Sequence, residues 1–161
     1  MIFQFLSKNF YISFSIVALI YFLDRLSKIY VIQLDKNNLG SDIFNSTYLN
    51  IVLIWNKGIA FGLLSFNETY LYNILSIIIS IIIIILVLMS INSKGFKRYS
   101  FLMIVGGALG NLHDRIIFNA VPYFIDFHIG NFHWFIFNVA DIFITMGVFL
   151  LIMLEFKYNK N

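Results

Sequence analysis

The sequence predicts a membrane all-α bundle of four transmembrane helices, with a small antiparallel β-sheet and loop cradle on its outer face. Three observations lead there. Hydrophobic residues make up 60% of the chain and charged residues 12%, with a mean hydropathy of +0.87, about half the charged share of an ordinary soluble domain. Four apolar stretches, over about 10–32, 72–91, 99–118 and 138–157, have roughly the ~20-residue length that crosses hydrocarbon. One of the connections between them is crowded with strand formers. The whole chain, 1–161, reads as a single integral membrane domain, too short to add a separate soluble one.

The first span begins in the apolar run Phe10 to Leu23 and continues through Asp24-Arg25-Leu26-Ser27-Lys28 into Ile29-Tyr30-Val31-Ile32. No small-residue cleavage site follows the run, so it is a retained helix and not a signal peptide. The next connection carries Tyr48-Leu49-Asn50-Ile51-Val52-Leu53-Ile54-Trp55, then Asn56-Lys57-Gly58 as a turn, then Ile59-Ala60-Phe61-Gly62-Leu63-Leu64. This pattern predicts an antiparallel sheet lying on the membrane. Trp55, Phe61 and Trp134 suit the interface, where amphipathic rings collect. The second span is nearly all Ile, Leu and Val, with Ser76, Ser80 and Ser90 placed to bond back to the preceding helical turn. It faces lipid and carries no chemistry. Gly106-Gly107, Gly110-Asn111 and Asp114-Arg115 interrupt the third span, and Asp141 stands near the start of the fourth.

Four crossings leave both termini on one side. The tails and the loop between the second and third spans carry Lys8, Lys94, Lys97, Arg98, Lys157 and Lys160, whereas the two opposite loops carry only Lys36 and Lys57. By the positive-inside rule the termini are cytoplasmic, and the longer loops, 33–69 and 118–138, lie outside. The net charge of +3 and pI near 9.1 arise largely from these flanking tracts, a topological signal and not a nucleic-acid surface. The absence of cysteine excludes disulfides, thiolate metal sites and a cysteine nucleophile.

Threaded in this way, Asp24, Asp114 and Asp141 all reach the outer end of the bundle. An ionisable group at membrane depth is costly and by default marks a functional site. Gly107, Gly110, Asn111 and Asp114 stand at i, i+3, i+4 and i+7 on one helical stripe, which also fits a small-residue packing face. Asn138, Asp141 and Thr145 share another stripe, where Asn138 and Asp141 alone would also serve as helix caps. Asp24, Ser27 and Lys28 share a third, with acid before base in the favourable order. Arg115 is offered to Asp126 or to a phosphate. His128 and His133 lack helical metal-ligand spacing, and His113 points to a different face from Asp114, so no metal is expected.

Two carboxylates sharing a low-dielectric site do not both ionise cheaply, so one keeps a proton. Such a pair activates water with one member and polarises a carbonyl with the other, as in aspartic proteases. Glycosidases use two carboxylates as well, but a shallow site surrounded by lipid favours a membrane-anchored peptide.

Asp24-x-x-Ser27-Lys28, Asn56-x-Gly58-x-Ala60-Phe61, Gly106-Gly107-x-x-Gly110-Asn111-x-x-Asp114-Arg115 and Phe137-Asn138-x-Ala140-Asp141 occur in the order and approximate spacing of the bacterial lipoprotein signal peptidases, signal peptidase II, which the chain resembles over nearly its whole length. The resemblance implies an aspartic endopeptidase of the bacterial cytoplasmic (inner) membrane, with its active site toward the outer face. The implied substrate is a diacylglyceryl-prolipoprotein, cut just before the lipid-modified cysteine. It implies Asp114 and Asp141 as the catalytic pair. Asn111, Arg115 and Asn138 are implied around them, and Asp24, Lys28, Asn56 and Gly58 as supports for site or substrate. Asp126, in Phe124-Ile125-Asp126-Phe127, resembles an outer-loop element of the family. Membrane lipids are the other partners, no nucleic acid and no cofactor are implied, and the protein is expected to act as a monomer. Ile59 replaces a frequent Ala, and Trp134-Phe135-Ile136-Phe137 lacks a proline usual in the family; both bear on loop shape and substrate preference.

Two other classes stand beside this reading. A proton-coupled transporter also holds intramembrane acids, but near the midplane and often between inverted repeats, neither of which is visible. A non-catalytic assembly subunit explains the glycine faces by packing alone and would tolerate Asp114→Asn.

Overall fold

The uninterrupted apolar runs fold as helices, since a helix pairs its backbone N–H and C=O groups internally where no polar partner is at hand. The computed structural model describes residues 8–38, 43–58 and 69–158. Along the chain it places α1 (Lys8–Asn37), β1 (Phe44–Asn45), β2 (Leu49–Asn56), α2 (Thr69–Ile91), α3 (Gly95–Phe118), β3 (Val121–Ile129), β4 (Phe132–Phe137) and α4 (Val139–Tyr158).

Three of the described helices are long and apolar enough to cross a membrane: Tyr72–Ile91, Gly95–Phe118 and Val139–Lys157. At 30 residues α1 is long enough, about 45 Å at 1.5 Å per residue, but Asp24, Arg25, Lys28, Asp35 and Lys36 lower its apolar content. Only 11% of the apolar windows of α2 and α4 is buried within the protein, against 56% for α3. The third helix is therefore the axis, and the others pack around it. The Ile side chains at 77, 78, 81, 82, 84 and 85 point outward, as expected of a lipid-facing helix.

Close packing on this axis comes from glycine. A Cβ on Gly106 would stand 2.9 Å from Ile20 of α1, and one on Gly107 would stand 2.5 Å from the Ala140 carbonyl oxygen of α4. The small-residue packing face foreseen in the sequence is thus real, and it brings three helices to the same end.

The predicted sheet forms, with a different partner. Its four strands are antiparallel in the order β1-β2-β3-β4, and β2 pairs with β3, Asn56 opposite Val121 and Asn50 opposite Asp126. The segment Ile59 to Leu64, including Phe61, lies outside the described residues. Strands β3 and β4 arise from the connection read only as an outer loop. They form a hairpin that turns at Gly130-Asn131, with Gly130 at φ +58°, a conformation glycine adopts without strain. Gly-Asn between two apolar runs is itself a hairpin signal. Asn119, left-handed at φ 51°, ends α3 with its N–H on the Arg115 carbonyl at 3.2 Å, and only Asn138 separates β4 from α4. The sheet therefore sits at the end of the bundle that holds Asp114 and Asp141.

Candidate active site

Asp24 and Lys28 stand one turn apart on α1, and both are fully buried. Lys28 Nζ donates to Asp24 Oδ2 at 2.7 Å, to Asp114 Oδ2 at 2.7 Å and to Asn111 Oδ1 at 2.9 Å. These three acceptors satisfy all three ammonium protons. Arg25 Nη2 lies 2.6 Å from Asp114 Oδ1 as an ion pair, without hydrogen-bond alignment. Asp114 is thus fully buried between two cations. The other oxygen of Asp24 accepts the Ala140 N–H at 3.0 Å, tying α1 to the first turn of α4. Lys28 and Asp24 brace the protein from inside and are not available to a lipid head group.

Asn138 and Asp141 cap α4 reciprocally. The Asp141 N–H donates to Asn138 Oδ1 at 3.0 Å, and the Asn138 N–H donates to Asp141 Oδ2 at 3.1 Å, a capping-box arrangement. Asn111 Nδ2 donates to the remaining Asp141 oxygen at 2.9 Å. Asn138 Nδ2 donates to Asn111 Oδ1 at 3.0 Å and to the Pro122 carbonyl at 3.3 Å. The capping role foreseen for Asn138 and Asp141 is therefore present, and it fixes the carboxyl without occluding it.

Asp141 lines a cavity of about 720 Å³ between α3, α4 and the sheet. Its wall is mostly apolar, including Ile79, Ala108, Phe135, Ile136, Phe137 and Met146. Polar side chains in the wall are Asn111, Arg115, Tyr123, Asp141 and Thr145, together with the Trp134 indole. Burial pushes the Tyr123 hydroxyl up to about 12; the charge of Asp141 adds to this, while a hydrogen bond from Asn56 and the charge of Arg115 oppose it.

Asp114 and Asp141 share no direct hydrogen bond; Asn111 and Lys28 link them, and Asp114 is absent from the described cavity wall. Two cations draw Asp114 inward, whereas the cap turns Asp141 toward open space. The structure corrects one expectation: Arg115 does not pair with Asp126, and its Nη atoms donate at 3.3 Å to the Asn111 and Gly58 carbonyls. Gly58 in turn donates its N–H to Asn56 Oδ1 at 2.7 Å, the Asx turn expected of Asn-x-Gly. Asp126 pairs instead with His133 Nδ1 at 2.8 Å, away from this network. The hairpin brings ligand atoms of Asp126, His128 and His133 within 4.8 Å of one another, a juxtaposition that spacing along the chain conceals. Sequence reasoning also missed Arg25 and Tyr123. Arg25 stands three residues before Lys28 on the same helix, and Tyr123 follows the period-two alternation of β3.

A family model described as Signal peptidase (SPase) II matches residues 16–157. The chain belongs to the signal peptidase II family. This member is 48% identical over 154 residues to the lipoprotein signal peptidase of Pelagibacter ubique (strain HTCC1062), covering 96% of this chain and 93% of that one. It is 42% identical to the lipoprotein signal peptidase of Anaplasma phagocytophilum (strain HZ), covering 86% and 88%. Among solved structures it resembles a bacterial membrane enzyme with TM-score 0.72 and 31% identity, covering 90% of this chain and 87% of that one. A second bacterial membrane enzyme gives TM-score 0.71 at 33% identity, covering 88% and 90%.

In this signal peptidase II chain the glycine nearest the chemistry is Gly110, where a Cβ would collide with the Asp24 carboxylate. Gly110→Ala, which by helix propensity alone should stabilise by about 1 kcal/mol, is expected instead to lower both the melting temperature in detergent and the activity. A stabilised, fully active variant would show that Asp24 has room to move.

Proposed function

We propose that this chain is a membrane aspartic endopeptidase that cleaves the signal peptide from prolipoproteins, on the N-terminal side of a diacylglyceryl-modified cysteine. The observation that carries the reading is the Asp141 carboxyl set in the wall of an otherwise largely apolar cavity. Such a wall receives a lipid-modified peptide and excludes bulk water, which strengthens every electrostatic contact inside. Asp141, held on both oxygens by neutral donors, takes the proton of the attacking water. Asp114 acts from behind: set between Lys28 and Arg25, it holds Lys28 against Asn111, and Asn111 orients Asp141. Asp24 and Asn138 lock the same network, Arg115, Gly58 and Asn56 fix the adjoining strand end, and Asp126 fixes the hairpin. Hydrolysis by this route calls for no cofactor.

We propose further that α1 is a fourth crossing, its charged residues tolerated because Asp24, Arg25 and Lys28 are turned into the protein. With basic residues concentrated on one side, the termini are cytoplasmic and the cavity opens toward the outer face of the bacterial inner membrane. Acyl chains of the substrate then stay in the bilayer while the peptide reaches Asp141 in a monomeric enzyme.

The test is incubation of the purified protein with a diacylglyceryl-modified prolipoprotein beside the same polypeptide without lipid. Only the lipidated form is expected to be cut. Equal cleavage of both would remove the lipid from the specificity, and cleavage of neither would remove the activity.

A further inference from the structure

Water addition to a peptide carbonyl places negative charge on its oxygen, and a positioned donor at that oxygen is commonly the largest single contribution to the rate. Asp141 is arranged as an acceptor, since both of its oxygens already receive hydrogen bonds. Asp114 is sealed between Lys28 and Arg25, outside the described cavity wall. The donor must come from the other polar groups in the wall. Asn111 is engaged at both ends of its amide. Arg115 donates one N–H from each Nη to a backbone carbonyl, which ties its guanidinium to the Asn111 and Gly58 backbone, and its Nε is buried without a partner. Thr145 stands one helical turn beyond Asp141, deeper along α4, and Trp134, on β4, has more than half of its surface exposed.

Tyr123 differs from these. It enters the cavity from β3, near enough to Asp141 and Arg115 to feel both charges, with Asn56 bonded to its hydroxyl. Because Asn56 Oδ1 accepts the Gly58 N–H, the amide nitrogen is the end of Asn56 that faces Tyr123. The phenol oxygen therefore accepts from Asn56, and its own O–H is left to donate elsewhere.

We propose, on the reading of Asp141 given above, that Tyr123 is a catalytic residue whose neutral O–H donates to the scissile carbonyl oxygen. A proton passes from water to the Asp141 carboxylate as the water oxygen bonds to the carbonyl carbon. The resulting oxyanion is held by the Tyr123 hydroxyl, which stays protonated throughout. When the C–N bond breaks, Asp141 returns that proton to the leaving nitrogen, so the peptide is hydrolysed with no change in either residue. A phenol raised to about 12 remains a donor across the working pH range.

Tyr123→Phe keeps the ring and deletes the oxygen. In the lipidated-substrate assay its kcat is expected to fall about 10²–10³-fold, as when one oxyanion donor is removed, with KM and melting temperature unchanged. An unchanged kcat overturns the proposal. If the variant melts earlier, fluorinated tyrosine at position 123 decides, since it preserves the ring and lowers the phenol pKa. Activity should then fall on the alkaline side as the phenol ionises and loses its proton, where the natural enzyme holds its rate; an unmoved alkaline limb overturns the proposal. Failure of the natural protein to cleave overturns the peptidase reading and this one with it, whereas cleavage unaffected by either change counts against Tyr123 alone.

Discussion

Asp141→Asn is expected to lower cleavage of the lipidated substrate by about 10⁴-fold, the upper end of what a positioned general base contributes, while the protein stays folded and inserted. The amide carbonyl still accepts the Asn138 N–H that caps α4, now made at 3.1 Å. What is lost is the basic oxygen facing the cavity. The bond from Asn111 is lost, because the new amide nitrogen cannot accept from Asn111 Nδ2, a structural cost of about 1–3 kcal/mol. Rate and melting temperature measured on one detergent-solubilised preparation check this, and a variant that retains activity would remove Asp141 from the chemistry. Asp114→Asn is expected to look different. It strips a fully buried partner from both Lys28 and Arg25, so activity and melting temperature should fall together. Loss of activity alone, with an unaltered melting curve, would instead place Asp114 at the reacting bond.

Lys28→Met is expected to cause the largest loss of stability, about 3–5 kcal/mol, the usual consequence of removing one partner from a buried ion pair. Its ammonium touches two carboxylates and the Asn111 carbonyl oxygen, with no solvent access. Without it two negative charges face each other in the interior, with Arg25 alone beside them. The thermal midpoint and the yield of folded protein in membranes report the loss. Asp24→Asn in the same chain should restore part of it, because one of the uncompensated charges is gone while Asn Oδ1 still accepts the Ala140 N–H that now reaches Asp24 at 3.0 Å. A double variant no better than Lys28→Met would mean that the lysine is not compensating Asp24. Arg at position 28 is no substitute, because its planar fork does not fit three acceptors clustered around one nitrogen.

Much of the site was readable before the fold. Asn111 and Asp114, or Asn138 and Asp141, fall on common helix faces because helical periodicity is a property of the chain itself. The glycine stripe announced close packing for the same reason. Tyr123 was not readable in this way: β3 becomes a strand beside the cavity only when β2 pairs with it, across 65 residues from Asn56 to Val121. Arg25 shares the i, i+3 helical spacing with Lys28, but its pairing was not readable, since its partner Asp114 lies on another helix.

Composition and apolar run length by themselves determined that this is a helical membrane-type protein, and the motif spacing determined its family. Those signals are local, carried by the solubility of side chains and by the repeat of one helix. Which carboxyl opens to the cavity was decided only in three dimensions. Lys28 and Arg25 approach Asp114 from α1, while Asn111 and Asn138 hold Asp141 at the wall, and a charge settles where its partners converge.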